Sequence, residues 1–282
     1  MPELPEVETI RRGLNKKTQG QTIRGGQVLL DRTVAYPLSV DEFWQGVEGA
    51  TIEHWQRRGK YLLAKLEIPT NTEPGWLGIH LRMTGQLLWL KQDIPPQKHV
   101  RLRFFFPDDW ELRFNDIRTF GKVWYVPPSI PSETIITGLT NLGPEPFSEK
   151  FSLEYLTQKC QKRHRPIKSL LLEQSLVAGV GNIYADEALF CSQIHPEKPA
   201  NQLNQTEVAQ LRQAVIEVLE TGIREGGTTF SDFRGVTGIN GNYTGIAWVY
   251  GREGQSCRIC ETKIERIKLA GRSAHFCPQC QQ

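Results

Sequence analysis

The chain has 282 residues, 39% apolar and 23% charged, a composition typical of a globular protein with one large or two smaller domains and not of a disordered chain. It has no apolar run of about eighteen residues, and it begins with acids and prolines, so we expect no membrane span, no signal peptide and a cytoplasmic location. The 34 Lys and Arg exceed the 31 Asp and Glu by only three, so net charge alone does not indicate a nucleic-acid partner.

The N-terminal part combines one helix with a long region of β-strand character. After Pro5, apolar residues recur at helical spacing and predict a helix to about Lys17. From Gln21 to Val126, short segments rich in aliphatic and aromatic residues alternate with turn signals. This pattern predicts a two-layer antiparallel β-sandwich.

The remainder of the chain is predicted to be mainly helical. Residues 131–148 lie in a Pro-, Gly-, Ser- and Thr-rich segment without a sustained period, which indicates a linker. The clearest helix extends from about Gln205 to Arg224, with Asn204 and Glu207 at capping-box spacing. Residues 226–245 contain six glycines, and their length favours a binding loop.

Two basic stretches contain no carboxylate. One extends from His54 to Lys65 and the other from Lys159 to Lys168. Such runs are usually solvated faces, and they indicate a polyanion only with further support. That support is Gly179-Val180-Gly181, which precedes a helical pattern. Glycines there expose backbone amides at a helix N-terminus, which favours a bound phosphate over an ordinary helix–turn–helix connection.

Four of the six cysteines form a metal-binding pattern. Cys257 and Cys260 are followed by Cys277 and Cys280 as two Cys-x2-Cys pairs, the spacing of a four-thiolate zinc site. Two disulfides would not persist in a reducing compartment, and a redox pair would not need duplication. We therefore predict one structural Zn2+ without an open position for chemistry. Cys160 and Cys191 are expected to be buried free thiols.

The N-terminus offers a nucleophile. Methionine before proline is normally removed because the second residue is small, and Pro2 is then a secondary amine. An α-amine titrates near roughly 7.7 to 8.0, so a usable fraction is neutral at neutral pH. Such an amine can form an iminium ion with a sugar carbon while Glu3 and Glu6 move protons. The competing interpretation is that the prolines only shape the start of the chain.

Six motifs together resemble the formamidopyrimidine-DNA glycosylase family. They are residues 2–9 (PELPEVET), 57–63 (RRGKYLL), 80–85 (HLRMTG), 115–121 (NDIRTFG), 176–187 and the cysteine-rich terminus with 271–277 (GRSAHFC). The resemblance covers essentially the whole chain in order. It implies an α+β fold with an antiparallel β-sandwich and short flanking helices, a helix–two-turn–helix domain and a C-terminal zinc ribbon. We place these at 1–130, 149–246 with a lesion-recognition loop at 226–245, and 247–282, with the linker at 131–148.

The resemblance implies a bifunctional base-excision-repair enzyme. Such an enzyme removes oxidised purines, chiefly 8-oxoguanine and formamidopyrimidines, and then cuts damaged double-stranded DNA at the abasic site by β,δ-elimination. By this resemblance Pro2 forms the Schiff base, Glu3 is the general acid and Lys60 supplies charge and proton transfer. By the same resemblance Arg272 binds a phosphate and takes part in δ-elimination. We expect a monomer.

The resemblance also implies DNA contacts. A base cannot be attacked inside the stack, so the nucleotide is extruded and the void filled. Met83, Arg118 and Phe120 match void-filling residues, although two of them would otherwise be read as core. The positions implied to hold phosphates are His99, Arg163, Lys168 and Asn182. His80 is a further possibility, with a structural histidine as the simpler interpretation.

Some residues depart from the family pattern, and two alternatives stay open. Ile117 and Thr119 replace a Pro and an Arg that are common in the family, and Arg82 stands where a small residue is common. Endonuclease VIII-like enzymes use the same Pro-Glu chemistry on oxidised pyrimidines but typically have Gly where this chain has Leu4. A noncatalytic zinc-ribbon DNA-binding protein would not need Pro2, Glu3 or Lys60.

Overall fold

A computed structural model of the chain describes residues 1–69, 71–228, 236 and 241–282. It divides into two compact units, one of residues 1–140 with 225–242, the other of residues 141–224 with 243–282. The boundary after Thr140 falls within the segment predicted as a linker. Residues 225–242 group with the first unit, whereas the sequence assigned 226–245 to the helical domain. Most of that predicted loop, residues 229–235 and 237–240, lies outside the described residues.

The first unit begins with helix α1 (Leu4–Thr18), close to the predicted limits. Its apolar face, Val7, Ile10 and Leu14, is fully buried. The acid Glu6 lies in the first turn and two lysines lie in the last, an arrangement that the helix dipole favours. Burial of the apolar face and these end charges together explain why the segment is helical.

The strands of the first unit form two sheets. One has the order β1 (Gly26–Val28), β7 (Val100–Phe105), β8 (Trp110–Asp116), β6 (Gly85–Lys91). The other has the order β2 (Val34–Tyr36), β9 (Lys122–Val126), β5 (Gly75–His80), β4 (Tyr61–Glu67), β3 (Thr51–Arg58). Two short helices flank them, α2 (Val40–Val47) and α3 (Ser132–Ile135), with 3-10 turns at Asp31–Thr33 and Thr137–Leu139.

One apolar core is shared by both sheets and α1. Alternate residues of the strands point into it, for example Leu102 and Phe104 of β7 and Leu62 and Ala64 of β4. The predicted sandwich is therefore present. Its strand pairs are antiparallel as predicted, except that the short β2 pairs with β9 in parallel. A long connection joins these two strands, so no tight hairpin turn forces them to be antiparallel.

The second unit is helical with a terminal hairpin. Its helices are α4 (Leu153–Gln161), α5 (Ile167–Leu171), α6 (Asn182–Cys191), α7 (Gln205–Arg224) and α8 (Tyr243–Ile246), with a 3-10 turn at Ala200–Gln202. Strands β10 (Glu265–Leu269) and β11 (Arg272–Phe276) pair in antiparallel fashion. The predicted capping box is confirmed: the backbone N–H of Glu207 donates to Asn204 Oδ1 at 2.9 Å, and that of Asn204 donates to Glu207 Oε2 at 2.9 Å.

The two remaining cysteines have different environments. Cys160 is buried, as predicted, and its burial raises its pKa to about 11. Cys191 is exposed, so the expectation of burial was wrong for it; it is the last residue of α6, where the chain leaves the core. Among the residues that the structure describes, no helix is both long enough and apolar enough to cross a membrane.

Candidate functional site

The start of the chain is packed into the first unit. Met1 is 39% exposed, whereas Pro2 is buried and Glu3 is 2% exposed. Glu3 is the N-cap of α1 and forms a capping box with Glu6: its backbone N–H donates to Glu6 Oε2 at 2.8 Å, and its carboxylate accepts from the Glu6 backbone. The residue after the proposed nucleophile is thus fixed by the helix that follows.

Glu6 also binds Thr228, which follows the end of α7. Its Oε1 accepts the backbone N–H of Thr228 at 2.8 Å and the Thr228 hydroxyl at 3.1 Å. Glu6 is 1% exposed, so both of its oxygens act inside the protein. Glu6 was predicted from the sequence to move protons, and its capping role was not predicted. Its position three residues after Glu3 was the signal for a capping residue.

Lys60 lies in the tight turn between β3 and β4. Arg58 pairs with Tyr61 across the hairpin, so Gly59 and Lys60 form the turn. Gly59 has a φ of +54°, which glycine adopts without the strain a Cβ would cause. Lys60 is 7% exposed, which is rare for a lysine.

His80 is next to this turn, since it pairs with Tyr61 across β4 and β5. Burial, together with the charges of Arg82 and Lys60, lowers the pKa of His80 to about 3. Its Nδ1 accepts the backbone N–H of Arg82 at 2.9 Å. His80 is therefore a neutral, structurally bonded histidine, which supports the simpler of the two interpretations.

The neutral state of His80 gives a pH prediction. Because its pKa is lower in the folded protein than in the unfolded chain, the unfolded chain binds the proton first, and stability falls as the pH decreases below about 6.5. From pH 7.5 to pH 5.0 we expect a loss of about 2 kcal/mol from this group. Urea unfolding of wild type and His80→Gln at both pH values should show a smaller loss in the variant. Equal losses would contradict the assignment.

The residues proposed to fill the DNA void are on exposed turns of the first unit. Phe120 is 50% exposed, and the Arg118 guanidinium carbon lies 4.9 Å from its ring centroid. Met83 is partly buried. An exposed Phe beside an Arg is unlike a core residue, so the interpretation of Phe120 as core is excluded.

Asp116 joins the two turns that carry these residues. Its Oδ2 accepts the Gly121 backbone N–H at 2.7 Å and its Oδ1 accepts the Thr84 hydroxyl at 2.5 Å. The Thr84 hydroxyl in turn accepts the backbone N–H of Arg118 at 3.0 Å. His99 is adjacent, since its carbonyl accepts the Asp116 backbone N–H at 2.9 Å. Asp116 lies in the 115–121 motif, but nothing in its local sequence indicated this role.

Two departures from the family pattern lie at strained backbone positions of these turns. Arg82 has a φ of +54° and Thr119 a φ of +58°, in the left-handed region that favours glycine. The Thr119 hydroxyl accepts from Arg32 Nη2 at 2.6 Å, which holds that conformation.

The other predicted DNA contacts are in the second unit. Arg163 is exposed near the end of α4, and Arg272 is exposed as the first residue of β11. Asn182 opens α6 directly after Gly181, and its Nδ2 donates to Ser273 Oγ at 3.4 Å. The N-terminus of α6 and the start of β11 therefore lie together within this unit.

Lys168 does not have the exposure that the predicted phosphate contact requires. It is 1% exposed, its Nζ lies 2.6 Å from Asp186 Oδ1, and it donates to the Ser273 carbonyl. Asp186 Oδ2 also accepts the His275 backbone N–H at 2.9 Å. A phosphate contact needs an accessible ammonium, so buried Lys168 does not fit the predicted phosphate contact. Its ammonium instead bonds to β11 and holds this strand.

The four cysteines predicted to bind metal converge. The sulfur atoms of Cys257, Cys260, Cys277 and Cys280 all lie within 4.8 Å of one another. The Sγ of Cys260 is 3.4 Å from those of Cys277 and Cys280, and Cys257 Sγ is 3.9 Å from Cys280 Sγ. Four thiolates at about 2.3 Å from one ion would be separated by about 3.8 Å, so the set fits one metal ion.

Three family descriptions match successive parts of the chain. They are the formamidopyrimidine-DNA glycosylase N-terminal domain over residues 1–123, its H2TH domain over residues 142–234, and a zinc finger found in FPG and IleRS over residues 254–282. These matches place the chain in the DNA glycosylase class of enzymes, with a zinc finger at its C-terminal end.

Relatives and solved structures agree over the full length. A formamidopyrimidine-DNA glycosylase of Crocosphaera subtropica is 66% identical over 281 residues, covering 100% of this chain and 98% of the relative. Lactococcus lactis Fpg in complex with an abasic site containing DNA is 37% identical, covers 99% of both chains and has a TM-score of 0.90. The MutM (Fpg) protein of Thermus thermophilus is 39% identical, with 99% of this chain and 98% of that chain covered and a TM-score of 0.87. The chain belongs to the formamidopyrimidine-DNA glycosylase family.

Proposed function

We propose that this chain excises oxidised purines from damaged double-stranded DNA and cleaves the resulting abasic site. The observation that carries the proposal is the buried Pro2-Glu3 start of α1 in a chain of this family, with Lys60 buried in a turn of the same unit. Removal of Met1 would convert the Pro2 nitrogen from an amide into a secondary amine. Only an amine can hold the sugar carbon as an iminium ion.

Each residue then has a role in the sequence of bond changes. The Pro2 nitrogen bonds to C1′ as the base leaves, and Glu3 protonates the sugar ring oxygen as the ring opens. The iminium acidifies the C2′ hydrogen, and its loss expels the 3′ phosphate. Lys60 provides positive charge and proton transfer for this β-elimination. Arg272 binds the phosphate that leaves in the following δ-elimination.

DNA contacts are assigned to both units. Asn182 at the α6 N-terminus, Arg163 and His99 are proposed to bind phosphates; Arg163 is exposed, and Asn182 and His99 are partly exposed. Lys168 acts indirectly by holding the strand that carries Arg272. Each unit contributes accessible polar groups, so a net charge of only +3 does not exclude DNA binding. We further propose that the enzyme acts as a monomer in the cytoplasm.

We also propose that the thiolate cluster holds one Zn2+. The ion is bound by Cys257, Cys260, Cys277 and Cys280, and it stabilises the fold of the terminus without entering the reaction. Tetrathiolate sets with short Cys-x2-Cys pairs are typical of zinc. Because β11 begins five residues before Cys277, the metal fixes the strand from which Arg272 projects.

Duplexes with 8-oxoguanine or thymine glycol test the proposed substrate. Excision of 8-oxoguanine in preference to thymine glycol is expected. The opposite preference would favour an endonuclease VIII-like enzyme. DNA binding with neither activity nor borohydride trapping would favour a noncatalytic protein.

The void-filling role of the exposed turns gives a second prediction. Met83→Ala with Phe120→Ala should slow excision of a paired lesion by about tenfold or more, because extruding a base costs a few kcal/mol that inserted side chains recover. Strand cleavage at a preformed abasic site has no base to extrude and should change far less.

Single-turnover kinetics on both substrates measure this difference. Leu38→Ala serves as a control, since Leu38 is 90% exposed and apolar but lies outside these turns. Wild-type excision of the paired lesion by the double variant would show that these side chains do not support extrusion.

A further inference from the structure

The buried carboxylate of Glu8, on α1, forms ion pairs with three arginines. Glu8 Oε1 accepts from Arg11 Nη2 at 2.7 Å and from Arg12 Nε at 2.9 Å, while its Oε2 accepts from Arg57 Nε at 3.3 Å. The side chains of Glu8 and Arg57 are 11% and 10% exposed. Burial alone would raise the pKa of Glu8, but the bonds from Arg11 and Arg12 and the charge of Arg57 outweigh it and lower the pKa, so Glu8 is ionised.

Arg57 extends this cluster to the turn that carries Lys60. Its Nη1 donates to the Gly59 carbonyl at 3.1 Å. That carbonyl belongs to the peptide group whose nitrogen is the backbone nitrogen of Lys60. A guanidinium can bond in two directions at once from one rigid plane, so Arg57 fixes the orientation of this peptide relative to Glu8.

The pair joins two parts of the proposed active site. Glu8 is on the helix whose first residues follow Pro2 and Glu3, and Arg57 is in the strand that leads into the Lys60 turn. We propose that Glu8 and Arg57 form a positioning pair that sets the Lys60 turn relative to the helix carrying Pro2 and Glu3. The inference rests on the proposed function and adds two positioning residues to it.

General docking of the helix does not depend on this pair. Farther along α1, Asn15 Oδ1 accepts the Trp55 backbone N–H at 2.6 Å and Asn15 Nδ2 donates to the Trp55 carbonyl at 3.1 Å. The Trp55 indole N–H donates to the Thr18 hydroxyl at 2.9 Å. We expect these bonds, and the buried apolar face, to keep α1 on the strand when Glu8 or Arg57 is changed. Loss of the pair should therefore disturb the position of the Lys60 turn relative to α1 rather than the folding of the first unit.

The test uses Arg57→Ala, Glu8→Gln and the double variant, with Arg12→Ala as the matched control. Arg12 also binds Glu8, but its side chain is 60% exposed and the structure shows no bond from it to the Lys60 turn among the described residues. Single-turnover cleavage of a duplex with a preformed abasic site is measured at saturating enzyme across pH, with DNA affinity and melting temperature recorded for each protein.

We expect Arg57→Ala to slow cleavage about tenfold or more, because small displacements of reacting groups have large kinetic costs. Glu8→Gln should slow the same step, and the double variant should be no slower than Arg57→Ala, as expected for residues that act as a unit. Arg57→Lys should recover part of the rate, and the pH profile should shift in the slowed variants only.

Several results would overturn the inference. One is that Arg57→Ala cleaves as fast as Arg12→Ala. Another is that the effects of the single variants add in full. A third is that the variants lose DNA affinity while the rate of cleavage at saturating enzyme is unchanged. If Arg57→Ala fails to fold, Arg57→Lys and Glu8→Gln decide by the same criteria. Wild-type protein that does not cleave the abasic duplex would instead refute the proposed function.

Discussion

A chain with one glutamate inserted between Met1 and Pro2 is expected to lose borohydride trapping on lesion DNA, by at least about a hundredfold. A large residue after methionine prevents its removal, so the Pro2 nitrogen stays an amide and cannot attack a sugar carbon. All catalytic side chains are retained in this protein. Intact mass measurement establishes which form of the N-terminus is present.

A cleavable leader provides the control. The same chain is made with a leader whose removal leaves Pro2 as the first residue, and it should trap as wild type does. Peptide mapping of the reduced adduct is expected to place the DNA on residue 2. An adduct on an internal lysine, or undiminished trapping by the inserted chain, would show that Pro2 is not the nucleophile.

Removal of the metal should have the second large effect. Four-thiolate zinc sites contribute on the order of 10 kcal/mol or more to the folding of small metal-binding segments. In Cys257→Ala, or after chelation, we expect β10 and β11 to lose their order and Arg272 its fixed position. DNA affinity at fixed salt should then fall sharply while the β-sandwich keeps its own unfolding transition.

The exposed cysteine offers a matched control for this experiment. Cys191→Ala removes a thiol of the same unit that lies outside the cluster, so metal content and DNA affinity should not change. Metal analysis of the wild type is expected to give one zinc ion per chain. Absence of zinc from carefully purified protein, or wild-type DNA binding by Cys257→Ala, would contradict the prediction.

Local patterns in the sequence were enough to predict the helices and the metal site whose signals lie within a few residues of one another. The helix from Gln205 to Arg224 and its capping box follow from spacing along the chain, as does α1. The convergence of the four cysteines was likewise predictable, because each Cys-x2-Cys turn directs two sulfurs to one point. The motifs that mark the family are also short and local, so the resemblance was visible in order along the chain.

The tertiary structure decided what depends on contacts between distant segments. The sequence showed Lys168 as one charge in a basic run, and only packing against Asp186 and β11 makes it buried and paired. Likewise, Glu8 and Arg57 are 49 residues apart and neither has a local signal for their contact. Burial and ion pairing are properties of the assembled fold, because they depend on which neighbours exclude water, and a pattern read along one segment does not contain those neighbours.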